Sequence, residues 1–379
     1  MAQALPGYVL TELEDAGPPE QWLRRRLRFE NAGSDLALDV MAYRSGGVLH
    51  RIDIEARALA ADRPLTLAIL RGDCTVLQAR ALLYEAGSAQ ELAILAGNLE
   101  TEVGREPLNP PVPPGVDVGG VTVAHVDSGV NYLLPRIASR LARDAKGRSL
   151  GYDFWDLDDR PFDGDIGRSP FFPQRHGTRV ASLLLREAPQ VRLVPYRYPR
   201  PDLGRMAELV AAAASADAAI VLIPLGSTKR ADWEAFEAAA RAQPDLLFIV
   251  SAGNDGRDID ARPVYPAGLP LDNMIVVTSS DQAGYPAPGS NWGALSVDLM
   301  VPAELQSVTG FTGETVEASG SSFAVPRLGA LAARLKAAHP GWRAADLKRA
   351  IFAHAVPPPP EASGAVARGW IPQPDAVRN

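Results

Sequence analysis

The chain has 379 residues, 46% of them hydrophobic and 22% charged, with a net charge of −7. That mix is globular and excludes a disordered or fibrous chain, and interleaved Arg and acidic residues leave no concentrated basic face for a phosphate backbone, so nucleic acid is not an expected partner. No apolar run reaches the roughly 20 uninterrupted residues of a membrane span; the richest, 207–223, carries Glu208 and Asp217.

At roughly 150 residues per domain the length predicts two or three domains. The first residues lack the basic and apolar stretches of a secretion leader, which predicts a cytosolic chain; Ala2-Gln3-Ala4 has the small-x-small pattern of a cleavage site, and with a leader before it the expectation becomes export. Alternation predicts strands over 36–42, 50–56 and 64–70, and apolar spacing predicts helices over 76–85 and 90–99. Residues 1–105 therefore read as a small α+β or β-rich unit without a catalytic motif. The single cysteine, Cys74, has no partner for an internal disulfide and reads as a buried structural thiol. Residues 106–120, EPLNPPVPPGVDVGG, form a linker or extended arm, because proline lacks the amide that helix and central strand require.

From residue 121 the pattern changes. Continuous apolar runs at 121–126, 191–196, 218–224, 246–251, 274–279 and 297–301 read as strands. Helical stretches lie around 177–187, 206–216, 232–242 and 322–338. Buried strands alternating with helices predict a doubly wound α/β domain over 121–379 with a mainly parallel sheet, whose ligands sit beyond the carboxyl ends of the strands.

Polar residues at those ends carry the chemistry. Asp127 directly follows the first strand, and Ser128-Gly129 turns the chain away from it. Of five histidines, His50 lies in the N-terminal unit, His125 inside a strand, His339 at a helix end before Pro340 and His354 near the tail; His176 stands in a loop entering a helix, Arg175-His176-Gly177-Thr178. Ser322 lies where a polar turn, Gly320-Ser321-Ser322, enters a long apolar helix whose amides point at any oxyanion formed nearby. Asn254, in Ser251-Ala252-Gly253-Asn254, follows another strand and has an amide to donate. Taken singly these are a turn residue, a helix entry, a cap and a turn former; in this order on one sheet they form a set. A Gly-x-Ser-x-Gly esterase elbow is absent and the acid precedes the serine, and the turn after the first strand is too poor in glycine for a nucleotide phosphate.

In these blocks, together with Tyr265-Pro266-Ala267, Ser290-Asn291-Trp292-Gly293 and Phe323-Ala324-Val325-Pro326, the chain resembles the subtilisin-like serine proteases over about 121–355. The resemblance implies a subtilisin-like fold and hydrolysis of polypeptide substrates by a serine endopeptidase. It aligns Ser322 with the nucleophile, His176 with the general base, Asp127 with the residue that orients it and Asn254 with the oxyanion donor. It aligns Ser321 with the residue that precedes the nucleophile. Leu225, Gly226, Ala252 and Gly253 correspond to the segments that hold the substrate backbone, and Val264 to the base of the primary specificity pocket. Arg179, Ser182 and Pro224 depart from the family pattern, the last by removing an amide beside the substrate strand. The family often binds Ca²⁺ in loops, and the acidic loop over 153–165, with Asp153, Asp156, Asp158, Asp159, Asp163 and Asp165, could supply oxygens to such an ion, although no cofactor is required for the chemistry. Residues 1–105 would then be an accessory or propeptide-like unit. A catalytically silent scaffold of the same fold is the alternative.

Overall fold

The structure, a computed structural model, describes residues 5–18 and 20–377, so Ala2-Gln3-Ala4 lies outside the described residues. The chain divides into a smaller unit, Met1–Pro110 with Asp165–Pro173, and a larger one, Pro111–Gly164 with Gln174–Asn379.

In the smaller unit, β1 (Val9–Ala16), β2 (Arg24–Asn31), β3 (Leu36–Ser45), β4 (Val48–Ala58), β5 (Arg63–Arg71), β6 (Val76–Glu85), β7 (Ser88–Leu95) and β8 (Glu102–Pro107) form one antiparallel meander in chain order. The helices expected over 76–85 and 90–99 are strands. Leu and Ala favour helix there, but Ala86 and Gly87 take φ of +49° and +90° in a two-residue hairpin that pairs Glu85 with Ser88. The unit is β-rich, not α+β. Cys74 is also a correction: it is exposed, at φ +68°, in the turn between β5 and β6, where Asp73 accepts a hydrogen bond from the Thr75 amide.

Much of this sheet is only half-buried. Its apolar clusters are small: Ala68, Leu70 and Ala79 form one, and Leu82, Leu92 and Phe171 another. Phe171 comes from the segment Asp165–Pro173; its carbonyl accepts a hydrogen bond from Arg80 Nη1 at 3.1 Å, and the same guanidinium lies 4.4 Å from the Phe172 ring centroid. Cross-strand ion pairs supplement them, as between Arg25 and Asp15 at 2.6 Å and between Arg28 and Asp39 at 3.3 Å.

The larger unit contains β9 (Val121–Asp127), β10 (Tyr152–Asp153), β11 (Val191–Arg197), β12 (Ile220–Ile223), β13 (Leu247–Ser251), β14 (Met274–Ser280), β15 (Leu299–Pro302), the hairpin β16 (Gln306–Thr309) and β17 (Thr315–Ala318), and β18 (Gly369–Trp370). Its helices are α1 (Pro135–Ala138), α2 (Gly177–Glu187), α3 (Met206–Ser215), α4 (Glu234–Arg241), α5 (Ser321–Ala338) and α6 (Ala344–Ala353). The main sheet is parallel throughout, in the order β10-β11-β9-β12-β13-β14-β15-β18. Alternate residues feed two cores: Val123, Leu222 and Ile249 join α2 and α5 on one face, while Ala124, Val221 and Phe248 join α3 and α4 on the other. From β9 the chain passes to β11 on one side and then crosses to β12 on the other. That reversal is the switch point of a doubly wound sheet, and it opens a crevice beyond the carboxyl end of β9.

Candidate active site

Asp127 is the last residue of β9, at that crevice, and is 3% exposed. Burial alone would raise its pKa, but the neighbouring His176 and the Ser128 amide, which donates to Oδ1 at 2.7 Å, hold the carboxyl below its ordinary range. His176 stands at the start of α2 with Nδ1 2.8 Å from each Asp127 oxygen. The Nδ1–H therefore donates to Asp127, and Nε2 carries the lone pair. Burial disfavours the imidazolium, yet the carboxylates of Asp127 and Asp163 outweigh it and hold the His176 pKa above the usual value. The approach of α2 to β9 depends on Gly177, where a Cβ would lie 2.0 Å from the Gly129 carbonyl oxygen.

The two serines that open α5 face different surroundings. Ser321 is fully buried, with its Oγ 2.6 Å from Ser251 Oγ and donating to Asn254 Oδ1 at 2.9 Å. Ser322 lines a cleft of about 280 Å³, and its hydroxyl donates to the Pro224 carbonyl at 3.1 Å rather than to His176. The next residue, Phe323, brings its ring centroid to 5.9 Å from that of His176. Asn254, beyond β13, lines the same cleft. Its Oδ1 accepts from both the amide and the hydroxyl of Ser321, which fixes the side-chain orientation and leaves Nδ2 as the donor on the other side.

Leu225, Gly226, Gly253 and Val264 also line this cleft. Ala252 does not: it is fully buried, and its amide donates to the Val277 carbonyl. Ser227, Thr228, Asp255 and Arg257 also line the wall, with Asp255 and Arg257 paired at 3.2 Å. The sequence signals these four only by their nearness to Gly226 and Asn254.

The acidic loop does not converge on a cation. Asp153 and Asp156 both pair with Arg197, Asp158 accepts from the Arg160 amide, and Asp163 is buried against the start of α2. Among the described residues no group of three or more His, Cys, Asp or Glu side chains is placed to hold a metal ion.

The chain is similar to several known proteins. The alkaline serine protease ver112 of Corniculantispora psalliotae is 37% identical over 100 residues, a match that spans 26% of this chain and only 25% of that protein. A cold-adapted subtilisin-like serine proteinase superposes with a TM-score of 0.53 at 25% identity, covering 70% of this chain and 92% of its own. The subtilase cytotoxin SubAB structure gives a TM-score of 0.56 over 68% of this chain and 89% of its own, at an identity of 20% that speaks for the fold alone. The model of the subtilase family matches residues 119–369, from the approach to β9 through to β18, and the chain belongs to that family.

Proposed function

We propose that the protein is a serine endopeptidase that cleaves polypeptides through an acyl-enzyme on Ser322. The observation that carries this reading is the Asp127–His176 pair, which leaves Nε2 as an available base on the α5 side of the crevice.

In the reaction the Ser322 hydroxyl turns from Pro224 to His176 Nε2. Its oxygen attacks the scissile carbonyl as its proton passes to Nε2, and Asp127 stabilises the imidazolium. The oxyanion takes hydrogen bonds from Asn254 Nδ2 and the Ser322 amide. Collapse breaks the C–N bond, with the proton moving from Nε2 to the departing amine. Water then repeats the sequence on the ester and regenerates Ser322. Leu225, Gly226 and Gly253 hold the substrate backbone, with Pro224 supplying a carbonyl but no amide. Val264 narrows the primary pocket where glycine would leave room for an aromatic ring, which favours small or medium apolar residues on the acyl side of the scissile bond.

Ser322→Ala should lower kcat by at least ~10⁴ without loss of fold, since a hydroxyl at a helix start contributes only about 1 kcal/mol. A fluorophosphonate probe should label Ser322 in the wild type; labelling of Ser321 overturns the assignment. Val264→Gly should raise kcat/KM for a Phe substrate relative to an Ala substrate, and an unchanged ratio removes Val264 from the pocket floor.

A further inference from the structure

One buried carboxylate close to the triad has no part in the mechanism above. Asp163, fully buried, accepts from Ser128 Oγ at 2.6 Å, from the Thr178 amide at 2.9 Å and from the His176 amide at 3.3 Å. Ser128 Oγ in turn accepts from the Gly177 amide at 2.9 Å. The first amides of α2, which have no partners within the helix, are thus satisfied by a pair of side chains anchored at the end of β9 and in the following loop. His176 itself makes no side-chain cap. Its backbone is held from outside, by the same network that begins one residue after Asp127.

We propose that Asp163 is a positioning residue for the base: with Ser128 it clamps the His176 end of α2 to the Asp127 end of β9 and sets a second buried carboxyl group against the His176 backbone. The proposal rests on the assignment of His176 as the base. The clamp acts through the backbone, so it fixes where Nε2 points without touching substrate. A displacement of about 1 Å in such a group costs on the order of 10²-fold in rate. The charge acts separately. The ionisable groups facing His176 are Asp127 and His125 on β9, Asp163 in the loop and Arg179 on α2. His125 is buried and held neutral by that burial, with Nε2 donating to the Gly177 carbonyl at 3.1 Å. Burial raises the Asp163 pKa and the hydrogen bonds from Ser128 and Thr178 oppose that rise; in its ionised form Asp163 joins Asp127 in favouring the imidazolium, and Arg179 opposes them.

Asp163→Asn keeps the side-chain shape but removes the charge and replaces one acceptor by a donor that faces amide hydrogens. It should lower kcat roughly 10- to 100-fold with KM within threefold, and move the acid limb of kcat/KM to lower pH, because the imidazolium loses one stabilising carboxylate. Ser128→Ala removes the shared hydroxyl without changing charge; it should lower kcat about tenfold and leave the acid limb in place. Wild-type kcat and an unmoved limb in Asp163→Asn overturn the proposal. Should Asp163→Asn lack a cooperative melt, full kcat in Ser128→Ala overturns it alone. His176→Ala, measured beside them, separates the two levels: retained activity there removes the base assignment, whereas its loss beside an unaffected Asp163→Asn removes only the clamp.

Discussion

The two sheets use opposite means of holding eight strands together. In the larger unit β12 and β13 are buried over their whole length, and each face carries helices. In the smaller unit β3 and β4 leave most side chains partly exposed, and Arg–acid pairs bridge neighbouring strands, as Arg26 and Arg28 of β2 do to Asp39 of β3. Apolar burial is worth about 25 cal/mol per Å², while an exposed ion pair contributes about 0–1 kcal/mol. The first sheet can therefore hold the side chains of the candidate site, which come from four separate chain segments, in fixed positions. The second depends on contacts between strands adjacent in sequence. The thoroughly buried sheet is the one that carries the candidate site.

Core truncation tests this contrast most strongly. Leu222→Ala in β12, a fully buried position packed beside Gly329 of α5, should destabilise the larger unit by about 2–5 kcal/mol, read as a lower urea midpoint. Val40→Ala in the half-buried β3 should cost under about 1.5 kcal/mol. Equal losses would mean that β3 is as thoroughly buried as β12, and the contrast would fail.

A smaller effect concerns what joins residues 1–105 to the rest of the chain. The prolines at 110, 111, 113 and 114 make a stiff spacer with few good cleavage sites, which favours a permanent accessory unit over a discarded propeptide. Wild type should then keep its full mass on storage. Loss of about a hundred residues from wild type, but not from Ser322→Ala, identifies a propeptide. Because Phe171 is buried with Leu82 and Leu92, a protease site inserted between Pro113 and Pro114 should give two fragments that still co-elute after cutting. Phe171→Ala should release them, and co-elution that survives this change shows that Phe171 is not the anchor.

Legibility followed burial. Six strands of the larger sheet and α2 were readable nearly to the residue, since a continuous apolar run bounded by polar turns has few alternative structures, whereas the two-residue edge strands β10 and β18 are too short to leave such a run and were not expected. Strands β6 and β7 were not, because Leu and Ala at mixed spacing fit a helix as well as a half-buried strand, and the deciding signal was the Ala86-Gly87 hairpin. Asp127, His176, Asn254 and Ser322 are singly an ordinary turn residue, helix entry, turn former and cap; their order along one sheet and the resemblance to the subtilisin-like family set them apart. Asp163 did not: in the sequence it is one more acid in an acidic loop, and only the fold turns it inward while Asp156 stays half-exposed and pairs with the buried Arg197.

The smallest effect is in how the two regions answer to pH and salt. Asp15 is held below its ordinary pKa, mainly by its hydrogen bonds from Arg25. A lowered carboxyl pKa stabilises above the unfolded value and loses that contribution as pH falls through the folded one, so the β1–β2 edge should loosen in acid. Asp127 behaves likewise, but His176 has the opposite sign: its raised pKa stabilises below the ordinary histidine range, and that contribution disappears as pH rises through the folded value. At 1 M salt, where the screening length falls to about 3 Å, amide exchange along β1 and β2 should quicken, whereas exchange at the start of α2 should stay as it is, because the Asp127–His176 pair is shielded on the Asp127 side. Equal salt sensitivity at both places would show that the meander is not held by its ion pairs, and that its half-exposed apolar residues supply the missing stability.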